Sequence, residues 1–579
     1  MSNSFQKRGQ KFVRRFSRAS IKASEESKEH IKENLIGRFS HIQNIKLLIL
    51  EWSLLVLALI ALAVTQAFWF GDSYAANVFV DGGSYVEATL GRVNSLNPLF
   101  ATTSSEKVLS KLMFGTITAV DYSGNSSPQL ADSVVASENG KVWTIRLRKG
   151  LRWSDGQPIT NEDILFTVAL IQNPIVGSIY TANLAGVQVA EDESGQIVFT
   201  LPSAYADFTS ALEIPIVPKH ALSDTSPKTL IESTFSTAPV TSGAFTYNAT
   251  QVGASDDDKT FYLSANPYYY LGRPMLNSFS VHTFNTKDNV INAINSGSVT
   301  ATAELVGSEA EKITSGQFQK KTSGLNDGSF IFFNLSNSQL KNKDLRRAIR
   351  EGIDLEKIRA AAPDTVALDF PIIDSQMKLT DLPALPERNF EAAKNAIAEI
   401  AGSEGPIKLS ITTVNSGYLP SVANVLAEEL RALGIEVTVV TFDENKDFVT
   451  NILARRNYDI LVYDIELGAD PDPLPYYHSS QTNASGLNLS NYRNGFVDDL
   501  LVGARATIDD QLRIKKYESF LSYWVEDLPA IGLYQSNLTY VYNKNVRPYN
   551  NDVHLVDAID RFSDICEWAA IKGTKNRTP

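Results

Sequence analysis

The stretch Val142–Thr167, "VWTIRLRKGLRWSDGQPITNEDILFT", changes its pattern from a strand to a turn to a helix. The side chains of its first residues alternate between two faces, with the apolar Trp143 and Ile145 on one of them, as expected for a half-buried strand. "SDGQP" is typical of a turn. Thr160 and Asp163 then form a capping-box pattern, which predicts a helix through "ILFTVALIQN". We interpret Asp155 and Asp163 as structural residues, one forming the turn and the other capping the helix.

A second region, further along the chain, predicts a parallel sheet. "IKLSITTV" (407–414) and "IEVTVVTF" (435–442) alternate as strands, and "SVANVLAEELRAL" between them has one apolar helical face that ends before Gly434. Strand, helix and strand in this order predict a βαβ unit. "YDILVYDI" (458–465) is apolar on both faces, which predicts a central strand.

The loop "GADPDPLPYYHSSQ" (468–481) begins where that central strand ends. Two aspartates, three prolines and an aromatic run could form a metal site, a catalytic site, a ligand clamp or a stiff surface turn. In open α/β sheets, ligands bind outside the carboxyl ends of the strands. The position therefore favours a ligand-facing loop, whose candidate binding residues are Asp470, Asp472, Tyr476, Tyr477 and His478.

The amino-terminal region differs from the rest of the chain in charge and hydropathy. Residues 1–46 carry a net charge of +7, whereas the whole chain of 579 residues carries −12. The acidic remainder argues against nucleic-acid binding. "WSLLVLALIALAVTQAFWF" (52–70) has no charged residue and is long enough to cross a bilayer.

We predict a transmembrane helix over 47–71, with residues 1–46 as a basic cytoplasmic leader and the acidic body outside the cell or in the periplasm. The alternative is a cleaved signal peptide, which the long apolar segment and the long leader disfavour. The leader is either an amphipathic helix on the inner leaflet or a flexible basic tail.

Several motifs in order resemble the bacterial extracellular solute-binding proteins of family 5, the oligopeptide-, dipeptide- and nickel-binding proteins of ABC transporters. "LRKGLRWSDGQPITNEDILFT" resembles the most diagnostic stretch of that family, and "GADPDP" resembles its "A-D-Y-P-D-P" loop with the Tyr absent. Further matching segments are "SLNPL", "KLMFGTITAVD", "PQLADS", "IVPKHAL", "APVTSGAFTY", "FIFFNLSNSQLKNKDLRRAIREGID" and "DLPAIGLY".

The resemblance implies an α/β, two-lobed periplasmic-binding-protein-like fold of type II with an extra subdomain, behind the transmembrane helix. We expect lobe I over 75–325 with the subdomain near 118–210, lobe II over 326–529, a return to lobe I over 530–570, and a tail over 571–579.

The resemblance also implies a peptide ligand, permease subunits of an ABC importer as partners, and a monomer. In peptide-binding relatives the first Asp of the loop receives the α-amino group of the peptide. That role falls on Asp470, with Asp472 as the alternative because the missing Tyr leaves the register open. Relatives often carry Trp three residues before this Asp, where this chain has Leu467.

The sequence gives no support for catalysis or for a resident cofactor. It contains no nucleophile elbow, zinc-protease motif, Rossmann fingerprint or Walker loop. The single Cys566 excludes an internal disulfide, and of the six histidines only His478 lies near the candidate loop, so we expect no bound metal. The function expected is capture of peptides for an ABC importer; the alternatives are a sensor of peptides or metal complexes and an extracellular hydrolase.

Overall fold

The computed structural model describes residues 46–253, 258–443, 446–551 and 553–576. The predicted basic leader therefore lies outside the described residues, apart from Lys46. The chain divides into two compact units, one comprising residues 1–78 and 572–579 and the other Phe79–Ile571.

The strands are β1 (Ala75–Val80), β2 (Ser84–Leu90), β3 (Thr118–Val120), β4 (Ser126–Pro128), β5 (Ala131–Ala136), β6 (Val142–Leu147), β7 (Gln188–Glu191), β8 (Ile197–Thr200), β9 (Phe245–Val252), β10 (Lys259–Ala265), β11 (Ser278–Phe284), β12 (Ala301–Thr302), β13 (Phe318–Gly324), β14 (Asp327–Phe333), β15 (Val366–Ala367), β16 (Lys408–Val414), β17 (Glu436–Phe442), β18 (Ile460–Glu466), β19 (Ala530–Gln535), β20 (Asn537–Asn543) and β21 (Ile571–Asn576).

The α-helices are α1 (Lys46–Tyr74), α2 (Ser104–Met113), α3 (Asn161–Gln172), α4 (Phe208–Ala211), α5 (Lys219–Leu222), α6 (Lys287–Ser296), α7 (Gly307–Ala310), α8 (Lys343–Gly352), α9 (Leu355–Arg359), α10 (Phe390–Ala401), α11 (Leu419–Ala432), α12 (Lys446–Phe448), α13 (Leu474–Tyr477), α14 (Gly495–Arg505) and α15 (Asp510–Asp527). A π-helical turn follows α12 at Val449–Leu453, and 3₁₀ helices occupy Pro98–Phe100, Pro227–Glu232, Thr234–Ser236, Gly402–Glu404, Ser479–Thr482 and Ala558–Glu567.

The smaller unit contains α1 and most of the two paired strands β1 and β21. The segment Ile49–Gln66 of α1 has a mean hydropathy of 2.0 and is not buried within the structure, so its length and composition would allow it to cross a membrane.

Two large sheets define the two lobes of the larger unit. The sheet of lobe I has the strand order β13-β20-β12-β2-β11-β10-β9, and the sheet of lobe II has the order β15-β19-β14-β18-β16-β17. Each sheet has its own apolar core, with Tyr85, Phe279 and Trp568 in the first and Phe520 and Trp524 in the second. This arrangement confirms the predicted two-lobed α/β fold.

Two small antiparallel sheets, β3-β4 and β5-β6-β8-β7, fall within the predicted subdomain near 118–210. The stretch Val142–Thr167 extends from β6 to α3. β6 and α3 form as predicted, and the backbone N–H of Thr160 donates to the Asp163 carboxylate at 2.9 Å. The same carboxylate accepts from the backbone N–H of Lys219 at 2.8 Å, so the cap also holds α5 against α3.

The predicted βαβ unit is confirmed. β16 and β17 are parallel neighbours joined by α11, which ends at Ala432 and is followed by Gly434 with a φ of +91°. β18 lies inside the sheet, parallel to β16 and antiparallel to β14, as expected for a strand that is apolar on both faces.

The chain crosses between the lobes twice, from β13 to β14 and from β19 to β20. The crossings lie side by side, since the backbone N–H of Leu325 donates to the Ser536 carbonyl at 3.1 Å and that of Ser536 to the Asp327 carboxylate at 2.7 Å. β19 belongs to the sheet of lobe II, because it pairs with β14. The return to lobe I therefore begins at Ser536 rather than at the predicted residue 530.

Candidate functional site

A cavity of about 350 Å³ lies between the two lobes. Lobe I contributes α2, the segment around Pro215 and the start of the 3₁₀ helix Ala558–Glu567, and lobe II contributes the end of β18 with Gly468 and Ala469. Its volume is near the lower end of the roughly 300–1,000 Å³ that is usual for small-molecule sites. Both lobes supply walls, so a ligand held here would contact both.

The charged side chains around the cavity comprise two ammonium groups and four carboxylates: Lys107, Lys111, Glu213, Glu466, Asp557 and Asp560. The two lysines are four residues apart on α2, which places them on one face of the helix. The apolar part of the lining includes Phe114, Val120, Ile179, Tyr180, Pro215 and Ile559.

Each lysine faces one carboxylate. Lys111 Nζ lies 3.1 Å from Asp560, and both side chains are largely buried. Lys107 Nζ lies 3.8 Å from Glu466 of lobe II in a looser pair that spans the cavity. Burial opposes the charge on Lys111, but the carboxylates of Asp560 and Glu213 raise its pKa above the usual value. Lys111 therefore remains charged within the cavity.

Glu213 and Asp557 form no ion pair among the described residues. Burial raises the pKa of Glu213 to about 7, and the charge of Lys111 only partly offsets that effect. The carboxylates thus outnumber the cations, and Glu213 is about half protonated at neutral pH.

The loop after β18 is fixed against lobe II by hydrogen bonds to its backbone. The amide of Asn326 donates to the Gly468 carbonyl at 3.0 Å, and the amide of Gln376 donates to the Leu467 carbonyl at 2.6 Å. Gly468 has a φ of +78°, a left-handed conformation that glycine adopts without strain. The beginning of the predicted loop therefore does line the cavity.

Asp470 is bound by a residue of its own lobe. Arg513 of α15 donates to both carboxylate oxygens, with a distance of 2.6 Å from Nη1 to Oδ1. Arg513 is almost fully buried, and Asp470 keeps about a fifth of its side chain exposed. Arg513 and Tyr517 also donate to the Pro471 carbonyl, so this ion pair anchors the loop to α15.

Asp472 pairs with Arg505 at the end of α14, with 3.1 Å between Arg505 Nε and Oδ2. Arg505 also reaches lobe I, because its guanidinium lies over the ring of Tyr205 at 4.2 Å and its carbonyl accepts from the backbone N–H of Ala206 at 2.8 Å. Next to this contact, burial and then the Asp470 carboxylate raise the pKa of Asp207 to about 6. A second contact between the lobes therefore runs through the neighbours of the predicted binding residues.

The three remaining candidates occupy different environments. The Tyr476 hydroxyl donates to the Glu466 carbonyl at 2.7 Å. Tyr477 is fully buried and packs against Phe520 and Trp524, so it is a core residue of lobe II rather than a wall of the cavity. His478 accepts from the backbone N–H of Ser480 at 3.0 Å through Nδ1.

Sequence reasoning missed the residues that surround the cavity on the lobe I side. One signal was available for Glu213, which is the only charged residue in the apolar run "ALEIPIVP" (211–218). A charged side chain in such a run marks a polar group held beside a core. Lys111 and Asp560 are far apart in sequence, and no local pattern joins them.

No group of three or more His, Cys, Asp or Glu side chains suited to a metal ion occurs in the part of the chain that the structure describes.

Comparisons with known proteins agree with the motifs. Residues 125–487 match the Bacterial extracellular solute-binding proteins, family 5 Middle. The chain is 26% identical to the oligopeptide-binding protein AppA of Bacillus subtilis, over 81% of this chain and 89% of that protein.

Two solved structures share the fold. The structure of Bacillus subtilis AppA in complex with a nonapeptide has a TM-score of 0.71 at 21% identity and covers 85% of this chain and 100% of that one. The structure of NikZ from Campylobacter jejuni in complex with Ni(L-His) has a TM-score of 0.70 at 22% identity and covers 84% of this chain and 99% of that one. The family match extends over more than half of the sequence, and the chain belongs to the bacterial extracellular solute-binding proteins, family 5.

Proposed function

We propose that the protein captures peptides in the cavity between its lobes and delivers them to an ABC importer, as a monomer held at the cell membrane. The observation that carries this proposal is the cavity itself, which is walled by both lobes and lined with both cationic and anionic side chains. A peptide carries groups of both signs and a polar main chain, so it can pair with such a lining.

The ligands of the two similar structures differ, since AppA holds a nonapeptide and NikZ holds a nickel–histidine complex. The 350 Å³ cavity of this chain favours a short ligand. A peptide supplies an ammonium group that can form an ion pair with a carboxylate of the lining. We therefore favour a short peptide over a metal complex.

Capture requires the lobes to open and close about the two crossings. Closure brings together Lys107 with Glu466 and Arg505 with Tyr205 and Ala206. Hinge closure around a ligand is a known transition of two-lobed binding proteins. A ligand that touches both lobes stabilises the closed form, which is the form we expect the permease to accept.

The role of Asp470 as the receptor of the α-amino group stays a prediction. Arg513 already donates to both of its oxygens, so a ligand ammonium would have to share them. The test compares free and N-acetylated forms of one peptide on the wild type and on Asp470→Asn. Loss of the preference for the free amine in the variant supports the role, and an unchanged preference assigns the amine to another carboxylate.

The main experiment is mass spectrometry of the ligands that co-purify with the full-length protein in detergent, followed by titration calorimetry with the peptides found. Short peptides are the expected result. Recovery of only metal complexes or sugars would contradict the substrate class, and cleavage of the bound peptides over time would favour the hydrolase alternative. Deletion of residues 1–40 tests the sensor alternative, which predicts unchanged uptake with loss of signalling.

The anchor is tested separately. We propose that α1 spans the membrane with its amino terminus in the cytoplasm, on the basis of its exposed apolar segment and the basic residues that precede it. Deletion of residues 46–70 should move the protein from the membrane fraction to the soluble fraction, and replacement of 52–70 by leucines should restore it. A mature chain that begins near residue 75 would show instead that the segment is a cleaved signal peptide.

A further inference from the structure

The cavity between the lobes has more carboxylates than its own lysines can neutralise. Lys111 Nζ forms an ion pair with the Asp560 carboxylate at 3.1 Å, and Lys107 Nζ lies 3.8 Å from the Glu466 carboxylate. Glu213 and Asp557 are left without an ion-pair partner among the described residues. A partly buried carboxylate without a counter-charge is unfavourable, and a cation supplied by the ligand removes that cost.

Apolar and aromatic side chains line the same cavity as Glu213. Phe114, Ile179 and Tyr180 line the cavity together with Glu213, and burial and then the charge of Glu213 raise the pKa of Tyr180 to about 12. A basic side chain combines an aliphatic stem with a charged head. It fits a wall of this kind because the stem can pack on the rings while the head reaches the carboxylate.

We propose that the cavity selects short peptides that carry a basic side chain, and that this side chain pairs with Glu213. The inference rests on the proposed peptide-binding function and adds to it the class of peptide. A basic side chain adds a second cation to the α-amino group of the peptide, whereas a peptide without one leaves at least one of the two unpaired carboxylates partly buried and without a counter-charge.

The experiment uses three sets of tripeptides, each peptide with two alanines and one test residue. The test residue is lysine in the first set, norleucine in the second and glutamate in the third. Within each set it occupies the first, second or third position in turn. Binding to the full-length protein in detergent is measured by titration calorimetry at pH 8. In at least one position, lysine should bind at least tenfold more tightly than norleucine, and glutamate should bind more weakly than both. Equal affinities for lysine and norleucine in all three positions would overturn the proposal.

Glu213→Gln identifies the residue responsible. This variant should reduce the ratio of lysine to norleucine affinities to about one, since the amide keeps the shape of the side chain but removes its charge. The matched control is Glu232→Gln, an exposed residue of the same lobe, which should keep the wild-type ratio. An unchanged ratio in Glu213→Gln would overturn the assignment to Glu213.

Failure of the underlying function gives a different result. If no tripeptide of any set binds, and longer peptides also fail to bind, then the peptide-binding function itself is wrong. If all sets bind with equal affinity, the function stands and only the preference for basic side chains is wrong.

Discussion

Arg513 of α15 donates two parallel hydrogen bonds to the carboxylate of Asp470, and thereby joins the loop after β18 to a helix more than forty residues further along the chain. Burial opposes the charge on Arg513, but the Asp470 carboxylate raises its pKa further above the usual range. The pair holds the loop whose first residues line the cavity, and it therefore connects the stability of lobe II to the shape of the site.

Asp470→Ala should lower the free energy of unfolding by about 3 kcal/mol, because it leaves the buried guanidinium of Arg513 without a counter-charge. Urea unfolding followed by tryptophan fluorescence measures the change. The control is Asp132→Ala, which breaks an exposed pair with Arg146 and should cost less than about 1 kcal/mol. Equal effects in both variants would contradict a supporting role for the Asp470–Arg513 pair, and Asp470→Leu combined with Arg513→Met should recover much of the loss.

Arg505→Ala should favour the open form of the protein. The variant removes the cation–π contact with Tyr205 at 4.2 Å and the ion pair with Asp472 at 3.1 Å. A loss of about 1.4 kcal/mol from the closed state weakens ligand affinity about tenfold. Fluorescence energy transfer between labels on the two lobes, together with titration of a bound peptide, measures both effects.

The control for that variant is Arg455→Ala, which removes an exposed arginine of lobe II and should change neither quantity. Tyr205→Leu should also favour the open form, and the double variant should show less than the sum of the two effects, since both single variants remove the same cation–π contact. Full additivity would indicate that the two side chains act independently.

Glu213 should make the stability of the protein depend on pH. Its pKa is about 7 in the folded chain, above the usual value of 4.5, so the folded state binds its proton more tightly than the unfolded state does. The resulting stabilisation is complete below pH 4.5 and is lost as the pH rises through 7. Glu213→Gln has no carboxyl group to ionise, so it avoids this loss of stability. The variant should be more stable than the wild type by about 3 kcal/mol at pH 8, with the difference diminishing towards pH 4.5.

Measurement of unfolding for both proteins between pH 4.5 and 8 checks this expectation. The difference between them isolates Glu213 from the other groups that face it, which are Lys111, Asp560, Asp207 and Tyr180. A constant difference across the range would show that Glu213 does not titrate there.

Asp163→Ala should destabilise lobe I by about 3 kcal/mol. The carboxylate is 4% exposed and accepts from the backbone N–H groups of Thr160 and Lys219 at 2.9 and 2.8 Å, so its removal leaves buried donors unpaired. Asp155→Ala, in the same motif, should cost less than about 1 kcal/mol, because Asp155 is more exposed and its main partners are Gln157 and His220. A similar cost for both variants would contradict the capping role of Asp163.

The local elements were predictable because neighbouring residues determine them. The alternation in β6, the capping pattern before α3 and the apolar face of α11 each follow from the spacing of side chains along a short segment. The position of the loop at the end of β18 followed from the same information, because a strand apolar on both faces lies inside a sheet.

The partners of the loop residues were not predictable in this way. Tyr477 looked like an aromatic wall of the site, but Phe520 and Trp524 of α15 enclose it. The predicted return to lobe I at residue 530 is too early for a related reason. The local pattern of β19 predicts a strand, but only its pairing with β14 assigns that strand to lobe II.

The sequence by itself determined the family, the α/β class, the order of the elements and the apolar segment at the amino terminus, since each depends on motifs or periodicity within a short stretch. The tertiary structure alone decided which charges meet. Arg513 pairs with Asp470, Arg505 contacts Tyr205, and Lys111 pairs with Asp560, whereas Glu213 forms no ion pair among the described residues. Pairing between charged side chains that are far apart in sequence depends on how whole lobes pack, so no local sequence pattern predicts it.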